Sequence, residues 1–573
     1  MSDDLLSLGI GNGSQNETLK VQSNYLRGRI PTELAKDTSH FEEAEIQLLK
    51  FHGTYQQEDR DQRKARKANG LEKAYQFMVR TRIPGGALTA QQYLAHDSIC
   101  ERFANRTLRI TTRQGIQLHG VLKGNLRAAI HDINDALVST LAACGDVNRN
   151  VMACAAPVGD VVHTRLQELA HELAVRLAPR SRAYHEIWVN GEKLDTPAPA
   201  EPDSEPLYGP TYLPRKFKIG IAYPGDNCID VYTQDIGLIA ELANERLSGF
   251  TVVVGGGLGM THGKSETFPR TAEPLCFSKP EDVVELAEAI VTVQRDFGDR
   301  KNRKHARMKY LIEDRGIEWF RGEVERRLGR ALKSAHHVQF EDVCDHLGWQ
   351  RQADGKWFLG IYVENGRVKD TSTCRLRTAL RHIIARFKPE IRLTGQQNIL
   401  LAGIAAHDRA AISRALLDHG VQIDPHELDL RRYAMACPAM PTCGLALTDA
   451  ERALPSVVAE IQAELSELGL SGERLSIRMT GCPNGCSRPY MGDVGFVGRS
   501  LDLYDIFLGG DWANTRLNAV YQHGVRRGAL ASVLRPVLRL WKNERSNGET
   551  FGDYCHRAGF DYLRQACQER SLA

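Results

Sequence analysis

An internal repeat constrains this chain more than any other feature. The segment Arg109–Gly120 is identical to Arg392–Gly403 at six positions, including an Arg, a Thr and a Gln. The repeat continues without a gap, because Arg149–Cys154 resembles Arg432–Cys437, and both pairs of segments are 283 positions apart. Self-similarity at one fixed offset indicates a duplicated structural unit. We predict two similar halves around a pseudo-two-fold axis, with a cleft between them of the kind in which cofactors bind.

The composition excludes several classes of protein. Hydrophobic residues make up 42% of the 573 residues and charged residues 25%, which are ordinary globular values and argue against a disordered or fibrous chain. A net charge of +3 provides no global field that would attract nucleic acid. The basic segment Arg300–Lys309 contains no aromatic residue, so we interpret it as a solvated helix face.

The expected location follows from the apolar runs and the N-terminus. No apolar run approaches the ~20 residues that a membrane-spanning helix needs. The N-terminus is acidic, unlike a signal or transit peptide. We therefore expect a cytoplasmic protein that binds neither membrane nor nucleic acid.

Two cysteine pairs carry the strongest chemical signal. The pairs have the forms C-x5-C and C-x3-C, and each lies in a segment rich in proline or glycine. Four thiolates are the ligand count of a [4Fe–4S] cluster. Structural zinc is the rival interpretation, although its paired cysteines are usually about two to four residues apart, and uninvolved thiols are a third. The four residues are Cys437, Cys443, Cys482 and Cys486.

The other nine cysteines are scattered along the chain. Cys154 occupies the position of Cys437 in the first copy of the repeat, but no second cysteine follows it at the matching spacing. We therefore expect no cluster in that half. We interpret the scattered cysteines, among them Cys228, as buried and inert thiols.

The cysteine motif, with its second pair in the form Thr-Gly-Cys482-Pro-Asn-Gly-Cys486, resembles the signature of the sirohaem- and [4Fe–4S]-containing sulfite and nitrite reductases. Other motifs extend the resemblance over nearly the whole chain. They are most similar to the class of haemoprotein (beta) subunits of assimilatory NADPH-dependent sulfite reductases. These motifs are Asn24–Gly28, Phe51–Gln57, Arg82–Gly86, Asn148–Asn150, Tyr212–Lys218 and Gly255–Gly259.

The resemblance implies an α+β fold. Internally duplicated ferredoxin-like halves surround the pseudo-two-fold axis, and two larger α/β lobes form the cofactor cleft. The predicted divisions are an N-terminal arm with a possible role in partner docking (1–76), a first ferredoxin-like repeat (77–143), a middle lobe for sirohaem and substrate (144–345), a second ferredoxin-like repeat (346–425) and a lobe for the cluster and sirohaem (426–573).

The resemblance also implies the cofactors and the reaction. Each chain would bind one [4Fe–4S] cluster through the four cysteines and one sirohaem, whose iron Cys486 would bind axially. The expected enzyme is a sulfite reductase (NADPH), which reduces sulfite to hydrogen sulfide with six electrons. A separate flavoprotein (alpha) subunit carrying FAD and FMN would deliver them. Ferredoxin-dependent sulfite or nitrite reduction is the alternative. Lys218 favours sulfite, because in nitrite reductases the segment that corresponds to Lys216–Lys218 resembles Lys-Trp-Asn.

The family's basic site residues carry over one by one. An anionic substrate and a macrocycle with many carboxylates both call for Arg and Lys. The expected catalytic cations that face the substrate are Arg82, Arg149, Lys216 and Lys218. The expected sirohaem-binding residues are Arg113, Gln117, His119, Asn150 and Arg215, together with Gly256 and Gly257 of a glycine-rich segment that lacks the dinucleotide-binding register.

Overall fold

A computed structural model describes residues 13–180, 188–189, 192–193 and 205–572 of this chain. None of the described helices is long and apolar enough to cross a bilayer. The described α-helices are α1 (Gln15–Gln22), α2 (Ile30–Ala35), α3 (Glu43–Leu49), α4 (Arg63–Ala68), α5 (Ala90–Phe103), α6 (Leu126–Asp135), α7 (Val161–Arg176), α8 (Val283–Phe297), α9 (Met308–Arg315), α10 (Ile317–Leu328), α11 (Leu376–Phe387), α12 (Arg409–Leu417), α13 (Leu454–Glu467), α14 (Leu530–Glu544), α15 (Phe551–Ala558) and α16 (Phe560–Leu572).

The strands are mostly short and lie in four five-stranded sheets and two two-stranded ones, counted over the described residues. In chain order they are β1 (Thr54–Glu58), β2 (Tyr75–Arg80), β3 (Ala87–Leu88), β4 (Leu108–Ile110), β5 (Ile116–Val121), β6 (Met152–Ala153), β7 (Trp188–Val189), β8 (Glu192–Lys193), β9 (Ile219–Ala222), β10 (Gly225–Asp226), β11 (Ile236–Ala243), β12 (Arg246–Val254), β13 (Glu273–Ser278), β14 (Phe340–Asp342), β15 (Gly348–Arg351), β16 (Trp357–Ile361), β17 (Arg367–Val368), β18 (Glu390–Leu393), β19 (Ile399–Ile404), β20 (Ala434–Ala436), β21 (Ile477–Thr480), β22 (Val494–Ser500), β23 (Leu503–Leu508) and β24 (Ala519–Arg526).

Two of the sheets are the ferredoxin-like halves. Their strand orders are β1-β2-β5-β4-β17 and β15-β16-β19-β18-β3. Each half receives its last strand from the other, since β17 pairs with β4 and β3 pairs with β18. The turns also match, because Gln114 and Gln397 both adopt positive φ, at 56° and 70°. The exchange of edge strands confirms the predicted duplication and ties the halves into one core.

The duplication extends into the two larger lobes. Their sheets run β6-β9-β11-β12-β13 and β20-β21-β22-β23-β24, and in each the first three strands are parallel and the last pairings antiparallel. Strands β9 and β21 begin 258 positions apart, and so do β11 and β22. Helices α7, α8 and α10 pack on the first sheet, and α13 and α14 pack on the second. The predicted α+β class is therefore confirmed.

Most of the predicted N-terminal arm (1–76) that the structure describes packs against the rest of the protein. Leu26, Phe41 and Leu48 are each at most 1% exposed and belong to the two large hydrophobic clusters that also contain the lobe and repeat cores. Among the helices described between residues 13 and 76, only α4 is exposed along most of its length. Residues 1–12 of the predicted arm lie outside the described residues. The division boundaries stay predictions.

Candidate active site

The two cysteine loops meet at one edge of the second large sheet. Cys437 directly follows β20, and Cys482 and Cys486 follow β21, its parallel neighbour. The carboxyl ends of parallel strands lie at the same edge, so both pairs are brought together there. All four thiols, including Cys443 on the loop after β20, are close enough for their charges to interact.

Hydrogen-bond donors lie close to two of the sulfur atoms. The Gly481 N–H lies 3.4 Å from Cys437 Sγ, and Asn484 Nδ2 lies 3.4 Å from Cys482 Sγ. Burial, and then the charge of Cys486, raise the pKa of Cys482 to about 11. Burial raises the pKa values of Cys437 and Cys443 in the same way, and such crowded thiols hold their protons unless a cation replaces them. This donor set therefore fits a positively charged iron–sulfur core.

Cys486 differs from the other three cysteines because it is exposed. The hydroxyl of Thr112, on the turn between β4 and β5, donates to its carbonyl oxygen at 2.9 Å. Nearby, the Met260 N–H donates to the Pro483 carbonyl at 2.9 Å. The Cys486 thiol thus lies where the first ferredoxin-like half, the glycine-rich segment and the cluster lobe meet. It is available to a second ligand besides the cluster.

Lys216 and Lys218 lie in an extended segment that leads into β9. The strand itself begins at Ile219, and Phe217 makes an isolated bridge to Asn148. Phe217 is fully buried and the lysines on either side are half-buried, so the two lysines share a face. Among the described residues neither ammonium group has a hydrogen-bond or ion-pair partner.

Burial and like charges act on these lysines together. Burial, then Lys218, Arg149, Arg215 and Arg307, lower the pKa of Lys216 well below its usual range. Burial and then Arg113 do the same to the pKa of Lys218. Burial also lowers the pKa of Arg113 to about 9 and that of Arg215 to about 10. Such a group of crowded cations attracts an anion.

The nearby carboxylates are already paired. Asp235 forms an ion pair with Arg307 at 2.9 Å, and Asp146 forms one with Arg303 at 2.7 Å. Both carboxylates are buried. They leave the positive charge of Lys216 and Lys218 unneutralised.

Arg149 and Arg82 have different surroundings. Both Nε and Nη2 of Arg149 lie 3.2 Å from the Gly145 carbonyl oxygen, and Arg149 lies within electrostatic reach of both lysines. Arg82 donates to the carbonyl oxygen of Ala174 in α7, and burial lowers its pKa to about 10. The catalytic role expected for each stays a prediction.

Several residues expected to bind sirohaem carry unsatisfied polar atoms. Asn150 Nδ2 donates to the Ile83 and Arg113 carbonyls at 2.7 and 2.9 Å, while its buried Oδ1 has no partner in the described part of the chain. Nδ1 of His119 and Nε of Arg113 are also buried without a partner among the described residues. Buried polar atoms without partners are rare. These fit a cleft that a polar macrocycle completes.

Gln117 and His119 point to one face of β5, as their alternation predicts. Both are buried, and their side chains lie 3.4 Å apart. Burial, then the charge of Arg367, lowers the pKa of His119 well below its usual range, which keeps the ring neutral. Arg109 beside them donates to the carbonyl of Ala436 at 2.9 Å, which connects this face to the cluster lobe.

Gly256 and Gly257 allow close backbone packing. A β-carbon at Gly256 would lie 2.2 Å from the Tyr232 carbonyl oxygen, and one at Gly257 would lie 2.9 Å from Arg307 Nη2. No side chain fits at Gly256, and a side chain at Gly257 would displace the Arg307 guanidinium. The contacts shown are with protein, and a role toward sirohaem stays a prediction.

The basic segment Arg300–Lys309 is not a solvated helix face, contrary to expectation. Helix α9 begins only at Met308, and Arg307 and Lys309 are buried. Lys309 Nζ donates to the Gly257 and Gly259 carbonyls, both at 3.0 Å, and burial, then Arg307, lower its pKa to about 7. The groups that balance the charge of this segment lie in distant parts of the sequence. The local density of basic residues therefore led to the wrong interpretation.

Comparison with known proteins identifies the class. The family model "Nitrite and sulphite reductase 4Fe-4S domain" matches residues 170–332 and 427–572, and "Nitrite/Sulfite reductase ferredoxin-like half domain" matches 70–136 and 350–419. Together they match more than half of the chain. The chain therefore belongs to the nitrite and sulfite reductase family, as its motifs predict.

Relatives make the likeness more particular. The sulfite reductase (NADPH) haemoprotein beta-component of Staphylococcus saprophyticus is 48% identical, covering 95% of this chain and 95% of the relative. The sulfite reductase (ferredoxin) of Synechococcus elongatus is also 48% identical, covering 96% of this chain and 90% of the relative. The solved structure of Mycobacterium tuberculosis NirA has a TM-score of 0.78 and 26% identity, covering 97% of this chain and 99% of that one.

Proposed function

We propose that this protein reduces sulfite to hydrogen sulfide with six electrons. One observation carries the proposal: the half-buried ammonium groups of Lys216 and Lys218 face one side without a partner among the described residues, surrounded by arginines. A small oxyanion is the ligand that such a group of cations favours. The names of the relatives support sulfite as that oxyanion.

The residues present suit both cofactors. Cys437, Cys443 and Cys482 would hold a [4Fe–4S] cluster, with the exposed Cys486 shared between cluster and sirohaem iron. The buried polar atoms without partners would meet the macrocycle. When bound, the coupled pair supplies single electrons in sequence to a ligand on the iron.

The protein's own groups would handle charge and protons. An arriving anion stabilises the protonated forms of Lys216 and Lys218, because an opposite charge opposes the effect of burial. Each oxygen that leaves as water takes up two protons while two electrons reach the sulfur, and the lowered pKa values make the lysines ready donors of those protons. Arg149, which lies within electrostatic reach of both lysines, would help to hold the anion.

The electron donor is proposed to be a flavoprotein that carries NADPH-derived electrons, with ferredoxin as the second candidate because relatives of both kinds are equally similar. The surface near the cluster suits either. Arg60 Nη1 donates to the carbonyls of Cys443 and Ala446 at 3.2 and 2.6 Å, and the exposed basic helix α4 begins three residues later. An acidic donor bound there would lie close to the cluster.

Two measurements test these proposals. Purified holoprotein is assayed for sulfite and nitrite turnover, first with a chemical reductant and then with a flavoprotein or reduced ferredoxin. We expect a higher kcat/KM for sulfite than for nitrite, and a preference for nitrite would overturn the assignment of sulfite as the substrate.

Lys64→Glu with Lys67→Glu in α4 should raise the KM for the protein donor several-fold while turnover with the chemical reductant is kept. The matched control is Lys301→Glu with Lys304→Glu, which exchanges exposed lysines elsewhere.

A further inference from the structure

Four side chains that ligate metals converge in the first large lobe, apart from the cysteines of the cluster. Their ligand atoms all lie within 4.8 Å of one another. Three of the four residues are buried and the carboxylate is half-buried. They come from the end of β6, from β10 and the loop after it, and from the segment after β14. The four are Cys154, Asp226, Cys228 and His346.

The distances match a single tetrahedral ion. Cys154 Sγ lies 3.8 Å from both Asp226 Oδ2 and His346 Nε2, and His346 Nε2 lies 3.3 Å from Asp226 Oδ2. With zinc bonds of about 2.3 Å to sulfur and about 2.1 Å to nitrogen or oxygen, tetrahedral ligand atoms are separated by roughly 3.3–3.8 Å. Two thiolates with an imidazole and a carboxylate are also a donor set that zinc accepts.

A second set of contacts orients these ligands. Asp226 Oδ1 accepts the backbone N–H groups of Cys228 and Cys344, both at 3.0 Å, which leaves Oδ2 to face the cluster of ligands. His163 hydrogen-bonds to Cys154 through its side chain and to Asp160 through Nδ1 at 2.6 Å. Outer partners of this kind fix the direction of ligating atoms and balance thiolate charge.

The position in the fold gives an independent reason for a metal. Cys154 lies 283 positions before Cys437, and Cys228 lies 258 positions before Cys486, which are the two offsets of the structural repeat. Two of the four ligands therefore stand where the second half has iron–sulfur cysteines. With two thiols instead of four this half lacks the ligands of a cube, but it has the four donors of one ion.

Contacts across the pseudo-two-fold axis confirm that these positions correspond. In one half Thr112 contacts the carbonyl oxygen of Cys486. In the other, a β-carbon at Gly395, which is 283 positions after Thr112, would lie 3.0 Å from the carbonyl oxygen of Cys228. Cys154 and Cys228 are buried, as expected, but they lie close to each other and to two further ligating side chains. Their proximity was not predicted, because they are 74 positions apart in the sequence.

We propose that Cys154, Asp226, Cys228 and His346 bind one Zn²⁺ ion in a tetrahedral site. The ion joins three segments of the first large lobe in the way that the cluster joins the loops of the second. The site does not depend on the proposed substrate, and its test measures metal rather than turnover.

The test is metal analysis of holoprotein, made with zinc in the medium and purified without chelators. We expect about one zinc per chain, with X-ray absorption at the zinc edge showing two sulfur ligands near ~2.3 Å and two lighter ligands near ~2.0–2.1 Å. Cys154→Ser and His346→Ala should lower the zinc content at least five-fold. Cys276→Ser, which changes a buried cysteine of β13 in the same lobe, should keep it.

Several results would overturn the site. Wild-type protein that contains no zinc and takes up none from added Zn²⁺ would do so, as would a Cys154–Cys228 disulfide found by mass spectrometry without reductant. An X-ray absorption spectrum that shows zinc without sulfur ligands would also contradict the site. So would a His346→Ala protein with the same zinc content as wild type. The absorption measurement uses wild-type protein, so it decides the matter even where a variant does not fold.

Discussion

The two large lobes have the same backbone plan but different chemistry at the ends of their strands. At the edge of one sheet the chain presents four cysteines, and at the edge of the other it presents Lys216 and Lys218. The position 258 residues after Lys216 is Arg474, which is exposed and paired with Asp342, and Lys218 corresponds to Ser476. The two lysines without a partner among the described residues therefore distinguish the first lobe, whereas both lobes carry metal-ligating side chains after their first strands.

The comparison shows what duplication supplies and what it leaves free. Strand order and loop geometry are shared, because they depend on buried apolar side chains that both halves keep. The residues at the strand ends are free to change without loss of the core. Two strand ends that face each other across an axis can then specialise, one for electrons and the other for substrate.

The largest effect expected is from Cys486→Ser. A serine hydroxyl is a poor ligand for iron, so the variant should lose cluster iron and the red sirohaem absorption bands together. The matching change in the other lobe, Cys228→Ser, should leave both signals in place. Iron analysis and an absorption spectrum decide this. A Cys486→Ser protein with a normal sirohaem spectrum would contradict the shared-ligand assignment.

Next in size is the effect of Lys218→Asn on substrate choice. Loss of a positioned proton donor costs roughly 10²–10⁴-fold in rate, and sulfite needs more oxygens removed than nitrite. We expect kcat/KM for sulfite to fall by about 10²-fold or more and that for nitrite to fall much less. Lys301→Asn, at an exposed lysine, is the control. Equal losses on both substrates would remove the argument for sulfite from this residue.

What could be predicted from the sequence depended on distance along the chain. The cysteine pairs, the repeat and the alternation of Lys216 with Lys218 are local patterns, and the structure brings these residues together as expected. Arg307 and Lys309 were misjudged because Asp235, their buried counter-charge, is over 70 residues away. The proximity of Cys228 to Cys154 was not predicted for the same reason. Residues that parallel strands bring together from distant segments leave no periodic trace in one sequence.

A third comparison concerns the corresponding aspartates Asp235 and Asp493, which are 258 positions apart and both fully buried. Asp235 pairs with the buried Arg307, whereas Asp493 accepts hydrogen bonds from Ser476 and Gly552. Asp235→Asn leaves a buried charge unpaired, which costs about 3–5 kcal/mol of unfolding free energy. Asp493→Asn loses one hydrogen bond, or about 1–2 kcal/mol.

The measurement is the thermal unfolding midpoint of each holoprotein at pH 7. The Asp235→Asn midpoint should lie several degrees below that of Asp493→Asn. Asp37→Asn, at an exposed position, serves as the control. If the unfolding midpoints of both buried variants fall by the same amount, the two carboxylates contribute equally to stability. The two lobes then do not differ at this position.

The smallest expected effect is a gain. Burial lowers the pKa of Lys216 well below its ordinary value of 10.5, so the folded protein holds this proton less tightly than the unfolded chain does. The charged lysine therefore lowers the free energy of unfolding below its folded pKa, and this loss disappears as pH rises from the folded pKa toward 10.5.

Lys216→Met should abolish sulfite turnover yet stabilise the fold at pH 7 by at least about 1 kcal/mol, with the gain shrinking at pH 10. Arg474→Met, at the corresponding exposed position, should show no such gain. Unfolding midpoints between pH 6 and 10 test this, and a Lys216→Met protein no more stable than wild type at pH 7 would mean that the lysine charge is compensated in the folded state.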